Sequence, residues 1–363
     1  MFSLSLPSVL LFAAAVGAAP PAPVDVFTAG DAGVASFRIP SLVRTRSGAL
    51  VALAEARTGG DCAAKSVVSR RSADGGATWG PPSVVFSGGG EKGGSAGNPT
   101  AVFDAVSGRV VVALALGNAT ACNPGQSMWV VDDGGSDGVS WGAPRDISAQ
   151  VGASWAGALP GPGTMAQLPA TSRWPGRLIF PAHRGAYGAD AVMYSDDHGA
   201  SWAVSAAVLD KMDEAAIAVA SPNGSLLLNM RNDHLTPCDC RATARSEDGG
   251  ATWSAIAFDS TLIEPVCQGS LVRLAGALFF SNPATKTKRL NITVRRSDDG
   301  GSTWLPNSFV AFGQPSAGYS CIAAGDAVAD IDGALFGGIL YEAVNGGGAA
   351  TITFRLFPLD LQS

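Results

Sequence analysis

Charge is scarce in this sequence. Only 15% of its 363 residues are charged, against roughly a quarter in an ordinary globular chain. No run of lysine or arginine exceeds two residues and the net charge is −6. Together these exclude the electropositive footprint of a nucleic-acid binder. Three histidines and the absence of any CxxC pair offer no zinc-site pattern. No long amphipathic helical pattern is present, and no long apolar run follows the N-terminal segment, so no membrane span is expected in the mature chain. Disorder is excluded as well, because 47% of the residues are hydrophobic. What is abundant is glycine, at 46 residues. Low charge, high apolar content and many glycines suit short buried strands joined by tight turns.

The opening MFSLSLPSVLLFAAAVGAAPPAPV has an apolar stretch, then small residues at Gly17, Ala18 and Ala19, then prolines. Residues 1–19 are expected to be a signal peptide cleaved near Ala18 or Ala19, with 20–363 as a single mature domain. The apolar run is short and interrupted by Pro7, which argues against a retained anchor. A secreted or lumenal location follows, extracellular or lysosomal. Six cysteines (62, 122, 238, 240, 267 and 321) form an even set compatible with disulfides in such a compartment. Cys238 and Cys240 lie so close in sequence that each is expected to pair elsewhere. Sequons stand at Asn118, Asn223 and Asn291, a glycoprotein pattern. Asn291 falls in an alternating, strand-like run and is expected to be unmodified.

Internal repeats decide the fold class. SADGGATW at 72–79, SDDHGASW at 195–202, SEDGGATW at 246–253 and SDDGGSTW at 297–304 all obey S-x-D-x-G-x-[ST]-W. A degenerate fifth, DDGGSDGVSW at 132–141, keeps Asp133, Gly135, Ser140 and Trp141. Aspartate binds backbone amides a few residues on, glycine supplies positive φ, and tryptophan packs its ring on the sheet, so each box predicts a β-hairpin turn. The five tryptophans are 62, 61, 51 and 51 residues apart, the length of one four-stranded propeller blade. Five such turns, plus a blade closed between the C-terminal strands and the N-terminal segment, predict an all-β, six-bladed β-propeller. The box aspartates are structural on this reading, and function must lie elsewhere.

FRIP at 37–40 carries an arginine in an apolar strand, a costly placement unless an anion meets it. It is followed by AEAR at 54–57 with Asp61, then GPGTMAQL at 161–168. DEAAIAV at 213–219 and LLLNMR at 226–231 come next, then FSNP at 280–283 and RLNITVR at 289–295. SAGYS at 316–320 and LYE at 340–342 close the series. In this order, and with the Asp boxes, these blocks resemble the sialidase (neuraminidase) family of glycoside hydrolases over nearly the whole mature chain.

The resemblance implies a retaining exo-α-sialidase needing no metal or organic cofactor. Arg38, Arg231 and Arg289 match the arginine triad that holds the sugar carboxylate, a bidentate task suited to guanidinium groups. Tyr319 matches the nucleophile, tyrosine being the sialidase exception among retaining glycosidases. Glu214 matches the base that takes its proton, and Asp61 the general acid/base at the glycosidic oxygen. Arg57 is expected to line the pocket, Glu342 to hold Arg38, and Glu55 to pair with Arg57. The implied partners are sialylated glycoproteins, glycolipids or oligosaccharides, met by a monomer. A trans-sialidase, a hydrolase for deaminated sialic acid, and a non-catalytic sialic-acid-binding propeller are the alternatives. The segment NDHLTPCDC at 232–240 reads as an inserted rim loop held by disulfides.

Overall fold

Each box folds as a turn locked by its own side chains. Ser72 Oγ donates to Asp74 Oδ1 at 2.7 Å and accepts the Gly76 N–H at 2.9 Å. Asp74 then accepts the Thr78 N–H at 2.9 Å and the Thr78 hydroxyl at 2.6 Å. The boxes that begin at Ser195, Ser246 and Ser297 repeat this pattern. In the degenerate box Asp133 accepts the amides of Val110, Gly135 and Gly138 instead. Gly76 has φ 94° and a Cβ there would meet the Phe354 ring at 2.0 Å, so no other residue fits.

The computed structural model describes residues 20–87, 94–121, 123–185, 188–232, 238–312, 318–344 and 350–361. The expected signal peptide and Cys122 lie outside them. Among the described residues the antiparallel strands sort into six blades around a central channel, the expected β-propeller. Blade 1 runs Ser36–Arg44, Leu50–Arg57, Lys65–Ser72 and Ser83–Phe86 from the channel outward. Blade 2 runs Gly94–Asp104, Arg109–Asn118, Asn123–Asp132 and Arg145–Asp146. Blade 3 is built on Leu178–Arg184 and Ala189–Ser195, with short pieces paired inside and outside them. Blade 4 comprises Asp213–Val219, Leu226–Arg231, Cys240–Ser246 and Ala257–Ile263. Blade 5 comprises Ser270–Leu274, Ala277–Pro283, Ile292–Ser297 and Ser308–Phe312. Blade 6 takes Ser320–Ile322, Ala334–Val344 and Ala350–Pro358, and its outermost strand is Val24–Thr28 from the other end of the chain. That pairing ties the first and last blades together.

The apolar core is divided among the blade interfaces, because both faces of every blade are covered by neighbours. The box tryptophan of each of blades 1 to 5 reaches back to the preceding interface. Trp79 packs between blades 6 and 1, Trp141 between 1 and 2, and Trp202 between 2 and 3. Trp253 and Trp304 do the same for the next two. Blade 6 has no box, and Phe279 and Phe357 fill the last interface with ring centres 5.6 Å apart.

Two sequence expectations are corrected. Cys238 and Cys240 are bonded to each other, not to distant partners. Asp239 between them adopts φ 47°, and this left-handed turn brings their Cα atoms to 5.2 Å, within ordinary disulfide range. Full pairing of the six also fails, since Cys267 and Cys321 are free and buried in separate places. Asn291 is exposed at φ 55°, one residue ahead of its strand.

Donors from Thr78 pull the Asp74 carboxyl down to about 2, and Thr303 overcomes slight burial to bring Asp299 to about 2. Carboxyl groups of an unfolded chain titrate near 4. Their stabilisation is therefore present above about 4 and is lost as pH falls towards 2. Thermal unfolding followed by circular dichroism is expected to drop over that window, less steeply in Asp74→Asn with Asp299→Asn. Equal slopes in wild type and variant would remove the boxes as the acid-sensitive elements.

Candidate active site

The site forms at one mouth of the channel, where the inner strands begin. Arg38 stands in the first strand of blade 1, beside Ile39, which has φ 61°. A β-branched residue on left-handed backbone costs about 1–3 kcal/mol and persists only where its surroundings enforce it. Here the Ile39 N–H donates to Glu342 Oε1 at 2.9 Å. Glu342 also accepts Arg38 Nε at 3.0 Å, Arg38 Nη2 at 3.2 Å and the Tyr319 N–H at 3.1 Å. One buried carboxylate on the second strand of blade 6 thus places an arginine and a tyrosine at once. Burial weighs against the Arg38 charge, but Glu342 more than offsets this and the guanidinium stays protonated.

Tyr319 directly precedes the inner strand of blade 6, and its phenol donates a short hydrogen bond to Glu214 Oε1. Glu214 Oε2 accepts Arg231 Nη1 at 2.6 Å, and the same nitrogen lies 3.4 Å from the Tyr319 oxygen. The guanidinium groups of Arg38 and Arg289 lie 5.0 Å and 5.6 Å from the tyrosine ring centre. Arg289 also donates to the carbonyl of Val266 at 3.4 Å, and Val266 is a second β-branched residue at positive φ, 54°. Burial pushes the Tyr319 phenol well above its ordinary value, the Glu214 carboxylate adds to this, and Arg231 offsets only part. At rest the tyrosine is a neutral phenol held by a base.

Asp61 lies on the turn after Leu50–Arg57, with 77% of its side chain exposed at the rim. It accepts Arg38 Nη1 at 3.3 Å and a short bond from Arg57 Nη1. Partial burial works against its ionisation, but bonds and charge from Arg57, with Arg38 and Lys65 behind, hold its carboxyl below the usual range. Arg57 Nε donates to Glu55 Oε2 at 2.7 Å, and Glu55 Oε1 accepts the Asn98 N–H at 2.8 Å. All nine residues singled out in sequence therefore fall in one contact network. Lys65, Ser95 and Asn98 also line the cleft, of about 350 Å³, and were not anticipated. Lys65 sits in an ordinary alternating strand and gave no signal, whereas Asn98, at φ 55° between Gly97 and Pro99, had one. A larger cavity of about 640 Å³ opens around Arg44 and Arg273 but brings together no comparable acid, base and nucleophile. Among the described residues no cluster of His, Cys, Asp or Glu has the arrangement of a metal site.

Glu342 is 1% exposed and neutralises Arg38 while bonding two amides. Removing one partner of such a pair costs about 3–5 kcal/mol. Glu342→Ala is expected to lose at least about 3 kcal/mol in urea unfolding, with Glu342→Gln in between. A loss under about 1 kcal/mol would show that Glu342 does not organise the site.

A family model described as BNR repeat-like domain matches residues 48–329. A sialidase of Bacteroides fragilis is 32% identical over 93% of this chain and 64% of its own length. A sialidase of Micromonospora viridifaciens is 32% identical over 83% of this chain and 50% of its own length. The chain thus spans between half and two-thirds of these relatives. Among solved structures, the Hadza microbial sialidase Hz136 superposes with a TM-score of 0.77 at 28% identity, covering 93% of this chain and 68% of that one. With six blades, the Asp-box turns and this match across most of its length, the chain belongs to the sialidase family of BNR-repeat proteins.

Proposed function

We propose that this chain is a retaining exo-α-sialidase that hydrolyses terminal sialic acids from glycoconjugates through a tyrosyl-enzyme intermediate. The observation that carries the reading is the Tyr319 phenol bonded to Glu214 and ringed by Arg38, Arg231 and Arg289. Sialic acid bears a carboxylate on its anomeric carbon. Guanidinium groups suit that carboxylate, and once it is seated the anomeric carbon faces the phenol. An anionic carboxylate nucleophile would be repelled there, whereas a neutral phenol is not. As the phenol oxygen attacks, Glu214 takes its proton, and protonated Asp61 gives a proton to the departing glycosidic oxygen. Water then attacks the glycosyl-tyrosine, Asp61 receives the water proton, and Glu214 returns its own to Tyr319.

The resting charge of Asp61 suits the second half of this cycle. For the first half it must be protonated. A substrate carboxylate on Arg38 competes for the guanidinium that helps keep Asp61 ionised, and so favours protonation where the leaving oxygen arrives. The proposed substrates are sialylated glycoproteins, glycolipids or oligosaccharides, met by a monomer. The disulfides at Cys62 and at Cys238–Cys240 support a secreted or lumenal location.

The test is release of 4-methylumbelliferone from its α-sialoside, with first-formed sugar followed by proton NMR. Wild type is expected to turn over and release the α-anomer first. Tyr319→Phe is expected to lose at least about a hundredfold in kcat. Asp61→Ala should retain much of its rate on this activated phenol and lose it on sialyllactose. A β-anomer as first product would exclude the tyrosyl route, and a transferred sugar in place of the free one would make the enzyme a transferase. No turnover, with sialic acid still bound, would leave a binding propeller.

A further inference from the structure

The strand Asp213–Val219 changes register at its start. Asp213 faces Arg231 and Ala215 faces Met230, which leaves Glu214 as the extra residue of a β-bulge. Bulges redirect side chains, and this one turns Glu214 towards Tyr319. Asp213 secures it, because its Oδ1 accepts the Glu214 N–H at 2.7 Å. The same oxygen lies 3.2 Å from Nε2 of His183, which belongs to the strand Leu178–Arg184 of blade 3. Both side chains are buried, and the contact crosses from one blade to the next. Opposite His183 on its own ladder stands Asp190, fully buried, with neither carboxyl oxygen bonded to another described residue. Burial first, and Asp213 second, push the Asp190 carboxyl well above its usual range. Asp190 thus shares the cluster, its burial favouring the protonated acid, without a hydrogen bond to Glu214.

We propose that His183 and Asp213 are positioning residues for Glu214, a brace across the boundary of blades 3 and 4 that keeps its carboxylate on the Tyr319 phenol. The proposal rests on the sialidase reading. A base must sit within hydrogen-bond reach of the proton it takes, and a misplacement of about 1 Å costs on the order of a hundredfold in rate. An ordinary buried ion pair would affect stability alone. A brace affects kcat, and it is restored by a substitution that keeps the acceptor oxygen.

Asp213→Ala and His183→Ala are compared with wild type on the 4-methylumbelliferyl α-sialoside. Each is expected to lower kcat by about ten- to a hundredfold and to leave KM within about threefold. Asp213→Asn keeps an Oδ1 acceptor and should recover to within about fivefold of wild type. The double alanine variant should be no worse than Asp213→Ala alone. Should Asp213→Ala not fold, His183→Ala carries the same comparison from the other blade. Asp190→Asn is the control and keeps its kcat. Burial holds the folded Asp190 carboxyl above its unfolded value of 3.8, so wild type loses stability as pH rises from there. Asp190→Asn should therefore raise Tm at pH 7 and change it little at pH 4. Unchanged kcat with lowered Tm in the alanine variants, or Asp213→Asn as slow as Asp213→Ala, overturns the brace. A wild type without turnover overturns the sialidase reading and the brace with it, whereas active wild type with unaffected variants overturns the brace alone.

Discussion

Glu342 takes four donors on two oxygens: two from the Arg38 guanidinium, one from the Ile39 amide and one from the Tyr319 amide. Arg38 and Tyr319 lie at opposite ends of the chain, and the carboxylate between them fixes both backbone and side chain. Any movement of blade 6 against blade 1 would open this knot. The same two blades are held by the Val24–Thr28 strand, which closes the ring by pairing with Ala350–Pro358. Ring closure and site assembly thus depend on one blade boundary.

The propeller supplies the rest through the starts of its inner strands. Four blades send these side chains to the same mouth: Arg38 and Asp61 from blade 1, Glu214 and Arg231 from blade 4, Arg289 from blade 5 and Tyr319 from blade 6. The local cost is carried by Ile39 and Val266, whose left-handed backbones are unfavourable for branched side chains. Ile39 offers its amide to Glu342, and Val266 offers its carbonyl to Arg289. Val266 thus holds an arginine directly, and Ile39 holds the carboxylate that anchors another.

The cleft holds one more cation than carboxylate although the chain as a whole is acidic. Arg38, Arg57, Lys65, Arg231 and Arg289 face Glu55, Asp61, Glu214 and Glu342. Each carboxylate engages at least one cation, and the most exposed of the four is Asp61, the one assigned to proton traffic at the rim. Tyr319 is neutral because burial and Glu214 favour the phenol. Three nearby guanidinium groups are nevertheless placed to stabilise negative charge when the proton leaves.

Sequence alone determined the fold class, since the box pattern is local chemistry. Ser72, Asp74, Gly76 and Thr78 bond within a single turn, and the spacing of the tryptophans matches the length of a blade for five of the six. It also pointed to the residues of the candidate site, because FRIP, SAGYS and their companions stand as contiguous blocks. It did not reach the Cys238–Cys240 bond, which depends on the left-handed backbone of Asp239. Nor did it mark Lys65, or the His183–Asp213 contact, as part of the site. These join residues on different strands or blades, and nothing in an alternating run such as KSVVSRRS distinguishes a side chain facing a cleft from one facing a neighbouring blade. Tertiary structure decided them, because a strand's side-chain period of two gives a face but not what that face meets.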